Sequence, residues 1–143
     1  MIVIASDHAG VDLKARIVEL IGEAGLEVQD LGPADTASVD YPDFAHAVAG
    51  AVARGEAERG ILICGTGIGM SLAANRHPEV RAALCHDAFT AEMARRHNDA
   101  NVLCIGARST GPGVAEQIVR IFLETAFEGG RHQRRVEKIE REA

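Results

Sequence analysis

The sequence predicts an α/β fold in which helices cover both faces of a five-stranded parallel sheet. Five short apolar runs alternate with longer segments whose apolar residues recur at helical spacing. This alternation is typical of parallel sheets that are buried on both faces. Right-handed crossovers in a doubly wound sheet favour the strand order 2-1-3-4-5. The predicted strands are residues 2–6, 27–31, 60–64, 80–85 and 102–106.

Helices are predicted between these strands and after the last of them. The first helix has its apolar residues on one face and closes at Gly25. The last is highly charged, and its apolar face consists chiefly of Val136 and Ile139. Such a helix is marginal alone, so we expect it to pack on a partner subunit. A polar loop is predicted over residues 32–42, and the later helices over residues 43–57, 70–75, 86–96, 113–127 and 131–142.

Length and composition narrow the class of protein. The 143 residues suit a single domain, residues 1–143, and 47% hydrophobic residues suffice for a core. The net charge of −6 argues against a general nucleic-acid surface, and no apolar run is long enough to span a membrane. No secretory signal is visible. The cysteines Cys64, Cys85 and Cys104 are odd in number and far apart, which predicts no disulfide framework and favours the cytoplasm.

The most distinctive stretch is Cys64-Gly65-Thr66-Gly67-Ile68-Gly69, which follows the third predicted strand and precedes a helix. Glycines let backbone N–H groups approach a ligand, and a helix start favours an anion or a thiolate. The stretch lacks the Lys-Ser/Thr ending of a P-loop and the spacing of a dinucleotide site. A simpler interpretation is a tight strand-to-helix turn that carries a small core cysteine.

Asp7 and His8 follow the first predicted strand. In the order 2-1-3 the carboxyl ends of strands one and three flank a crevice, so we expect both residues near the glycine stretch. There they would bind substrate hydroxyls or a ring oxygen. The alternative is a helix cap supplied by Ser6 or Asp7. The similar pair His86-Asp87 would lie farther from the crevice, and we interpret it mainly as a helix start.

Further candidates occur late in the chain. His97 lies in a polar run that is interpreted either as a helix end and turn or as a site for proton exchange, because histidine titrates near neutral pH. Arg108, Arg131 and Arg135 are candidates for a phosphate clamp, since guanidinium groups match phosphate oxygens. The alternative for the last two is a solvated charged helix. The six histidines form no metal-binding motif, so no metal is expected.

Together these motifs resemble the type B ribose-5-phosphate isomerases, a family that includes galactose-6-phosphate isomerase subunits. The resemblance covers essentially the whole chain. It implies a Rossmann-like three-layer α/β/α sandwich with an extra C-terminal helix, and a homodimer, with a tetramer as the alternative, whose active sites lie at the subunit interface. It implies no metal or organic cofactor, no nucleic acid and no membrane partner. The motifs that carry it are residues 3–10, Asp40-Tyr41-Pro42, residues 64–69 and residues 97–101.

The resemblance also implies roles for individual residues. Cys64 would be the base that moves a proton between C1 and C2 of the sugar, assisted by Thr66. His97 would open the furanose ring, and backbone N–H groups of residues 65–70 would stabilise the enediolate. Some of the binding residues, together with His97, would come from the partner chain. The implied substrate-binding residues are Asp7, His8, Tyr41, Gly65, Gly67, Ile68, Gly69, Asn98, Arg108, Arg131 and Arg135.

One departure places the sequence within the family. Some members have serine at the Cys64 position and a glutamate base at the Met70 position, whereas methionine cannot take a proton. The sequence therefore resembles the cysteine-base branch.

The resulting hypothesis is an aldose–ketose isomerase of the pentose phosphate pathway that interconverts D-ribose 5-phosphate and D-ribulose 5-phosphate through a cis-enediolate. The nearest alternative is the same reaction on a six-carbon substrate, allose 6-phosphate or galactose 6-phosphate. A non-catalytic nucleotide-binding module is a third, although no acidic ribose-binding residue stands clearly after strand two. A redox role for the thiols lacks an obvious resolving cysteine.

Overall fold

The computed structural model describes residues 1–140 and contains the five strands that the sequence predicts. No helix in this part of the chain is both long and apolar enough to cross a membrane. A single 3-10 turn, His8–Gly10, joins the first strand to the first helix. The strands are β1 (Ile2–Ser6), β2 (Val28–Asp30), β3 (Arg59–Cys64), β4 (Ala82–Leu84) and β5 (Val102–Gly106). The helices are α1 (Val11–Glu23), α2 (Tyr41–Ala53), α3 (Ile68–Ala74), α4 (Ala88–Arg96), α5 (Pro112–Glu124) and α6 (Arg131–Glu137).

All strand pairs are parallel, which confirms the predicted α/β class, but the strand order is 2-1-3-5-4. The predicted order 2-1-3-4-5 is therefore wrong at its last two positions. The reason is burial. All five residues of β5 are buried, as a central strand requires, whereas β4 has only three residues and each is half-buried. The exchange places the carboxyl end of β5 directly beside that of β3.

Two apolar layers enclose the sheet. One contains α1, α4 and α5, with Ile17, Ile118 and Phe122 fully buried among them. The other contains α2 and α3. Side chains alternate between these layers along each strand, so that Ile63 faces the first and Cys64 the second. This is the predicted three-layer sandwich, and it aims Cys64 towards α2 and α3.

Several element boundaries differ from the prediction in ways that affect the site. Tyr41 was expected in a loop but begins α2, where a proline in the first turn fits because it needs no helical N–H partner.

The interpretation of Asp87 as a helix start is confirmed, since its carboxylate accepts the Thr90 N–H at 2.7 Å.

The C-terminal helix is present but shorter than predicted. It ends at Glu137, and residues 141–142 of the predicted helix lie outside the described residues. His132 and Val136 are buried against the rest of the same chain. Packing of this helix on a partner subunit stays a prediction.

Candidate active site

An open groove of about 410 Å³ lies at the carboxyl edge of the sheet, where β1 and β3 end. This is the crevice predicted from the strand order 2-1-3, and that part of the order is confirmed. Its volume is in the range of small-molecule sites. The residues that line it are Asp7, Tyr41, Cys64, Gly65, Thr66, Ile68, Gly69 and Leu72.

The glycine stretch turns sharply over the Cys64 thiol. Gly67 adopts a left-handed conformation with φ of 80°, and its N–H donates to Cys64 Sγ at 3.1 Å. A Cβ atom on Gly67 would come within 2.6 Å of Leu84 Cδ1, so the turn needs glycine here for both conformation and space. Ile68 N–H donates to Thr66 Oγ1 at 3.3 Å. Cys64 is 5% exposed and contributes to the floor of the groove.

Tyr41 forms one wall of the groove by packing its ring directly on Gly69. A Cβ atom on Gly69 would lie 2.6 Å from Tyr41 Cζ, which is well inside van der Waals contact. The side chain is 40% exposed and begins α2, so its hydroxyl is available to a ligand. The aromatic ring is therefore placed by the absence of a side chain on the facing helix.

Asp7 and His8 have structural roles as well as a place near the groove. Asp7 Oδ1 accepts the Ala9 N–H at 2.9 Å, so the predicted capping role is present, and the residue also lines the groove. His8 Nδ1 accepts the Val39 N–H at 3.3 Å, which leaves the proton on Nε2 in the neutral ring. His8 lies beside the groove rather than in its lining.

Arg108 reaches the glycine stretch because β5 is the neighbour of β3. The backbone N–H of Arg108 donates to the Gly65 carbonyl at 2.9 Å. Its guanidinium lies 3.6 Å from the position that a Cβ atom on Gly65 would take. Closer to the sheet, a Cβ on Gly106 would come within 2.7 Å of Thr66 Cα, so the two loops touch. The corrected strand order is what brings this arginine to the candidate site.

His97, Asn98, Arg131 and Arg135 lie at the other edge of the sheet. His97 caps the carboxyl end of α4, just before the amino end of β5. With about 3.3 Å per residue, the five residues of β5 separate the two edges by roughly 16 Å. Asn98 lines a different cavity, beside the edge strand β4. Within one chain these four residues do not join the groove that holds the thiol.

His97 belongs to a group of three side chains, together with Glu128 and His132. Its ring stacks on the ring of His132, with centroids 4.2 Å apart and planes 12° apart. Glu128 Oε1 lies 3.8 Å from His132 Nε2. Ligand atoms of all three residues lie within 4.8 Å of one another. Because the ring planes are nearly parallel, their nitrogen lone pairs do not converge on one point, and the group is not preorganised for a metal.

The remaining thiols differ from Cys64. Burial raises the pKa of Cys85 to about 11, and burial also raises the pKa of Cys104, which has no exposed surface. Both therefore stay protonated at neutral pH, and neither lines the groove. These facts disfavour the redox alternative.

Sequence reasoning missed Leu72, which lines the groove, and His132, which contacts His97. A signal for His132 was available. His132 and Val136 are four residues apart and form the buried face of α6, about 100° around the helix from the exposed Arg131 and Arg135.

Comparisons with known proteins agree with this geometry. A family model described as Ribose/Galactose Isomerase matches residues 2–139. Ribose-5-phosphate isomerase B of Escherichia coli (strain K12) is 49% identical over 133 residues, which cover 93% of this chain and 89% of that protein. D-erythrulose-4-phosphate isomerase of Pectobacterium atrosepticum is 44% identical over 139 residues, covering 96% and 91%.

A solved structure is equally similar. Ribose-5-phosphate isomerase B of Mycoplasma genitalium, with bound ribulose 5-phosphate, superimposes with a TM-score of 0.93 at 48% identity and covers 96% of this chain and 92% of that one. An enzyme assignment replaces the alternative of a non-catalytic nucleotide-binding module. The chain belongs to the ribose/galactose isomerase family and is a sugar-phosphate isomerase of the type B ribose-5-phosphate isomerase kind.

Proposed function

We propose that the enzyme interconverts D-ribose 5-phosphate and D-ribulose 5-phosphate through a cis-enediolate, with Cys64 carrying the proton. One observation carries the proposal: the thiol lies in the groove and accepts an N–H bond of 3.1 Å from Gly67. The other acidic groups in the lining are less suited to the role. Asp7 is engaged in capping, and the ring of Tyr41 packs on Gly69 as a wall of the groove.

The proton transfer balances on a single sulfur. The Cys64 thiolate takes the proton from C2 of the open-chain aldose, the C–H electron pair forms the C1–C2 double bond, and the carbonyl π electrons move to O1. The same thiol then returns the proton to C1 while the O2 proton moves to O1, which gives the ketose. Thr66 assists here, because its oxygen already accepts the Ile68 N–H and its own O–H is free to donate.

The negative charge on the enediolate needs donors that are already in place. Gly65, Thr66, Ile68 and Gly69 line the groove, and backbone N–H groups of the stretch 65–70 supply these donors, apart from those of Gly67 and Ile68, which already bond to Cys64 Sγ and Thr66 Oγ1. Removing one such donor costs about 10²–10³ in rate in comparable sites. The N–H of Gly67 also stabilises negative charge on the sulfur while the proton is on the substrate.

Ring opening and phosphate binding need groups from the opposite edge of the sheet. We infer that a second copy of the chain supplies them, so that the partner's His97, the partner's Asn98, the partner's Arg131 and the partner's Arg135 complete the groove of each subunit. Exposed apolar side chains in the lining of the groove support this inference, since Ile68 is 52% and Leu72 62% exposed.

In this arrangement the ends of the sugar are held by different groups. Arg108, together with the partner's two arginines, binds the phosphate through charge-assisted hydrogen bonds. Asp7, His8 and Tyr41 bind the hydroxyls. The partner's His97 donates a proton to the ring oxygen O4 as the C1–O4 bond breaks, and the anomeric hydroxyl gives its proton to a solvent water molecule as the C1 carbonyl forms.

Substrate length is the open part of the proposal. The family description includes galactose, and a relative acts, by its name, on a four-carbon sugar phosphate. A six-carbon substrate, allose 6-phosphate or galactose 6-phosphate, is therefore the second candidate. Competition among four-, five- and six-carbon sugar phosphates in one assay decides between them, and the five-carbon pair should give the highest kcat/KM.

The base assignment has a direct test. We expect Cys64→Ala to lower kcat on ribose 5-phosphate by at least about 10²-fold, the usual contribution of a positioned base. Cys85→Ala is the matched control, because it removes a buried thiol that lies outside the groove and should keep activity within about twofold. A Cys64→Ala enzyme with wild-type activity would disprove the base assignment.

A further inference from the structure

His132 lies outside the groove and contacts His97, the residue proposed to open the sugar ring. It lies on the inner face of α6, is only 6% exposed, and presents its ring face to the ring of His97 at 4.2 Å. His97 itself is half-buried and is the C-cap of α4, with its backbone N–H bonded to the Met93 carbonyl at 2.9 Å, but within residues 1–140 no hydrogen bond fixes its ring. The stack is thus a main constraint on the orientation of the His97 ring.

The surroundings of His132 favour its neutral form. Burial lowers the pKa of His132, and His97 from α4 and the neighbouring Arg131 and Arg135 lower it further, whereas Glu128 acts in the opposite direction. These surroundings therefore favour the uncharged ring. A neutral aromatic face attracts a protonated ring beside it, while two protonated rings would repel each other.

We propose that His132 is a positioning residue that holds the ring plane of His97 for proton exchange with the ring oxygen of the sugar. His132 does not touch the sugar itself. This inference rests on the proposed function, in which His97 opens the furanose. Catalytic groups need orientation to within about 10–20°, and a displacement of about 1 Å can cost 10²-fold in rate.

The chemistry of the two substrates separates ring opening from proton transfer. Ribose 5-phosphate is mostly cyclic, so it requires ring opening before the thiol can act. Ribulose 5-phosphate cannot form a five-membered ring, because the oxygen on C5 carries the phosphate. A defect in the orientation of His97 should therefore slow the reaction from ribose 5-phosphate and spare the reaction from ribulose 5-phosphate.

The variants are chosen to fill the buried position. His132→Leu and His132→Met keep an apolar side chain there but lack a planar ring, whereas His132→Phe keeps the stack without a titrating group. We expect Leu and Met to lower kcat from ribose 5-phosphate about tenfold, with initial rates from ribulose 5-phosphate changed less than about twofold. His132→Phe should restore most of the loss. Gln133→Ala, an exposed neighbour on α6, is the matched control.

Three outcomes overturn the inference: equal losses in both directions, no loss in the Leu and Met variants, or failure of Phe to restore activity that Leu removes. His97→Ala is measured in parallel to test the proposed function separately. If His97→Ala leaves the ratio of the two initial rates unchanged, the ring-opening assignment fails. If only His97→Ala changes that ratio, the proposed function stands and the positioning role of His132 is wrong.

Discussion

At the scale of single residues, Cys64 meets three conditions that the other cysteines do not. It ends a central strand, its sulfur lies at the floor of the groove, and it accepts an N–H bond from the turn above it. Cys85 and Cys104 are enclosed by apolar side chains instead. The three thiols are chemically identical, but they differ in their surroundings. The reactivity of a thiol depends on its access to ligands and on nearby hydrogen-bond donors.

A substitution at Gly69 tests whether the position of the Tyr41 ring matters for substrate binding. Gly69→Ala places a methyl group inside the ring of Tyr41, so the ring must move away from the groove. If Tyr41 binds a sugar hydroxyl, as proposed, we expect KM for ribose 5-phosphate to rise roughly five- to tenfold, the equivalent of one lost hydrogen bond. Steady-state kinetics, with thermal unfolding to check the fold, measure this. An unchanged KM would remove Tyr41 from the binding site.

Gly22→Ala is the matched control for that substitution. Gly22 is exposed within α1, and among residues 1–140 no atom beyond its chain neighbours and the nearby backbone of its own helix lies within 4 Å of the position its Cβ would take. The added methyl group restricts the unfolded chain and should leave KM unchanged while raising the unfolding free energy by about 0.4–1 kcal/mol.

At the scale of elements, the sequence predicts the strands well and misorders two of them. Both β4 and β5 belong to short apolar runs, so local patterns do not separate them. The structure shows what does: Asn75 binds the edge strand with its side chain, accepting the Ala82 N–H at 2.8 Å and donating to the Ala82 carbonyl at 3.0 Å. The side-chain amide of Asn75 makes the hydrogen bonds that a neighbouring strand would otherwise make. The hydrophobic periodicity of the sequence does not predict such a contact.

An ion pair between the buried Lys14 and the partly exposed Asp30 supports the loop that leads to the groove. Lys14 on α1 is 3% exposed and donates to Asp30 at 2.7 Å and to the Pro33 carbonyl at 2.7 Å. The same loop accepts the Ser6 N–H at the Gly32 carbonyl, next to Asp7. The ion pair therefore connects α1 with β2 and, through the loop, with the end of β1. Its loss would disturb the residues at the end of β1 that belong to the candidate site.

The two partners of this ion pair should respond differently to substitution. Asp30→Ala leaves a buried ammonium without its counterion and should lower the unfolding free energy by about 2–3 kcal/mol, less than for a fully buried pair because Asp30 is partly exposed. Lys14→Met replaces the charge with an apolar chain and should cost about 1 kcal/mol or less. Urea unfolding at one protein concentration compares them. Equal losses of unfolding free energy in the two variants would contradict the idea that a buried, unpaired charge on Lys14 causes the larger loss.

At the scale of the whole molecule, the candidate site divides into a part that topology predicts and a part that it does not. The crevice between β1 and β3 follows from strand order, so Asp7 and Cys64 could be placed together from the sequence. No pattern within a chain predicts how His97 and Arg131 relate to that crevice, because the fold puts them at the opposite edge of the sheet. Their roles come from the resemblance, and their place in the site rests on the second chain that we propose.

Subunit complementation tests whether the site is shared. Each chain keeps its thiol and its His97 on opposite edges, so a site in a two-fold dimer would combine Cys64 of one subunit with His97 of the other. A heterodimer of Cys64→Ala and His97→Ala subunits, purified with two affinity tags, then contains one intact site and one site that lacks both groups. We expect about half of the wild-type activity per dimer, although each homodimer alone is inactive on ribose 5-phosphate.

The reciprocal heterodimer gives the opposite result. When a wild-type subunit is paired with a subunit that carries both Cys64→Ala and His97→Ala, every shared site lacks one of the two groups, and activity on ribose 5-phosphate should nearly vanish. If each site were built within one chain, the wild-type subunit would retain about half of the activity and the single-variant pair would have none. The two heterodimers contain the same substitutions in equal number, so a difference between them reports only how Cys64 and His97 are distributed between the chains.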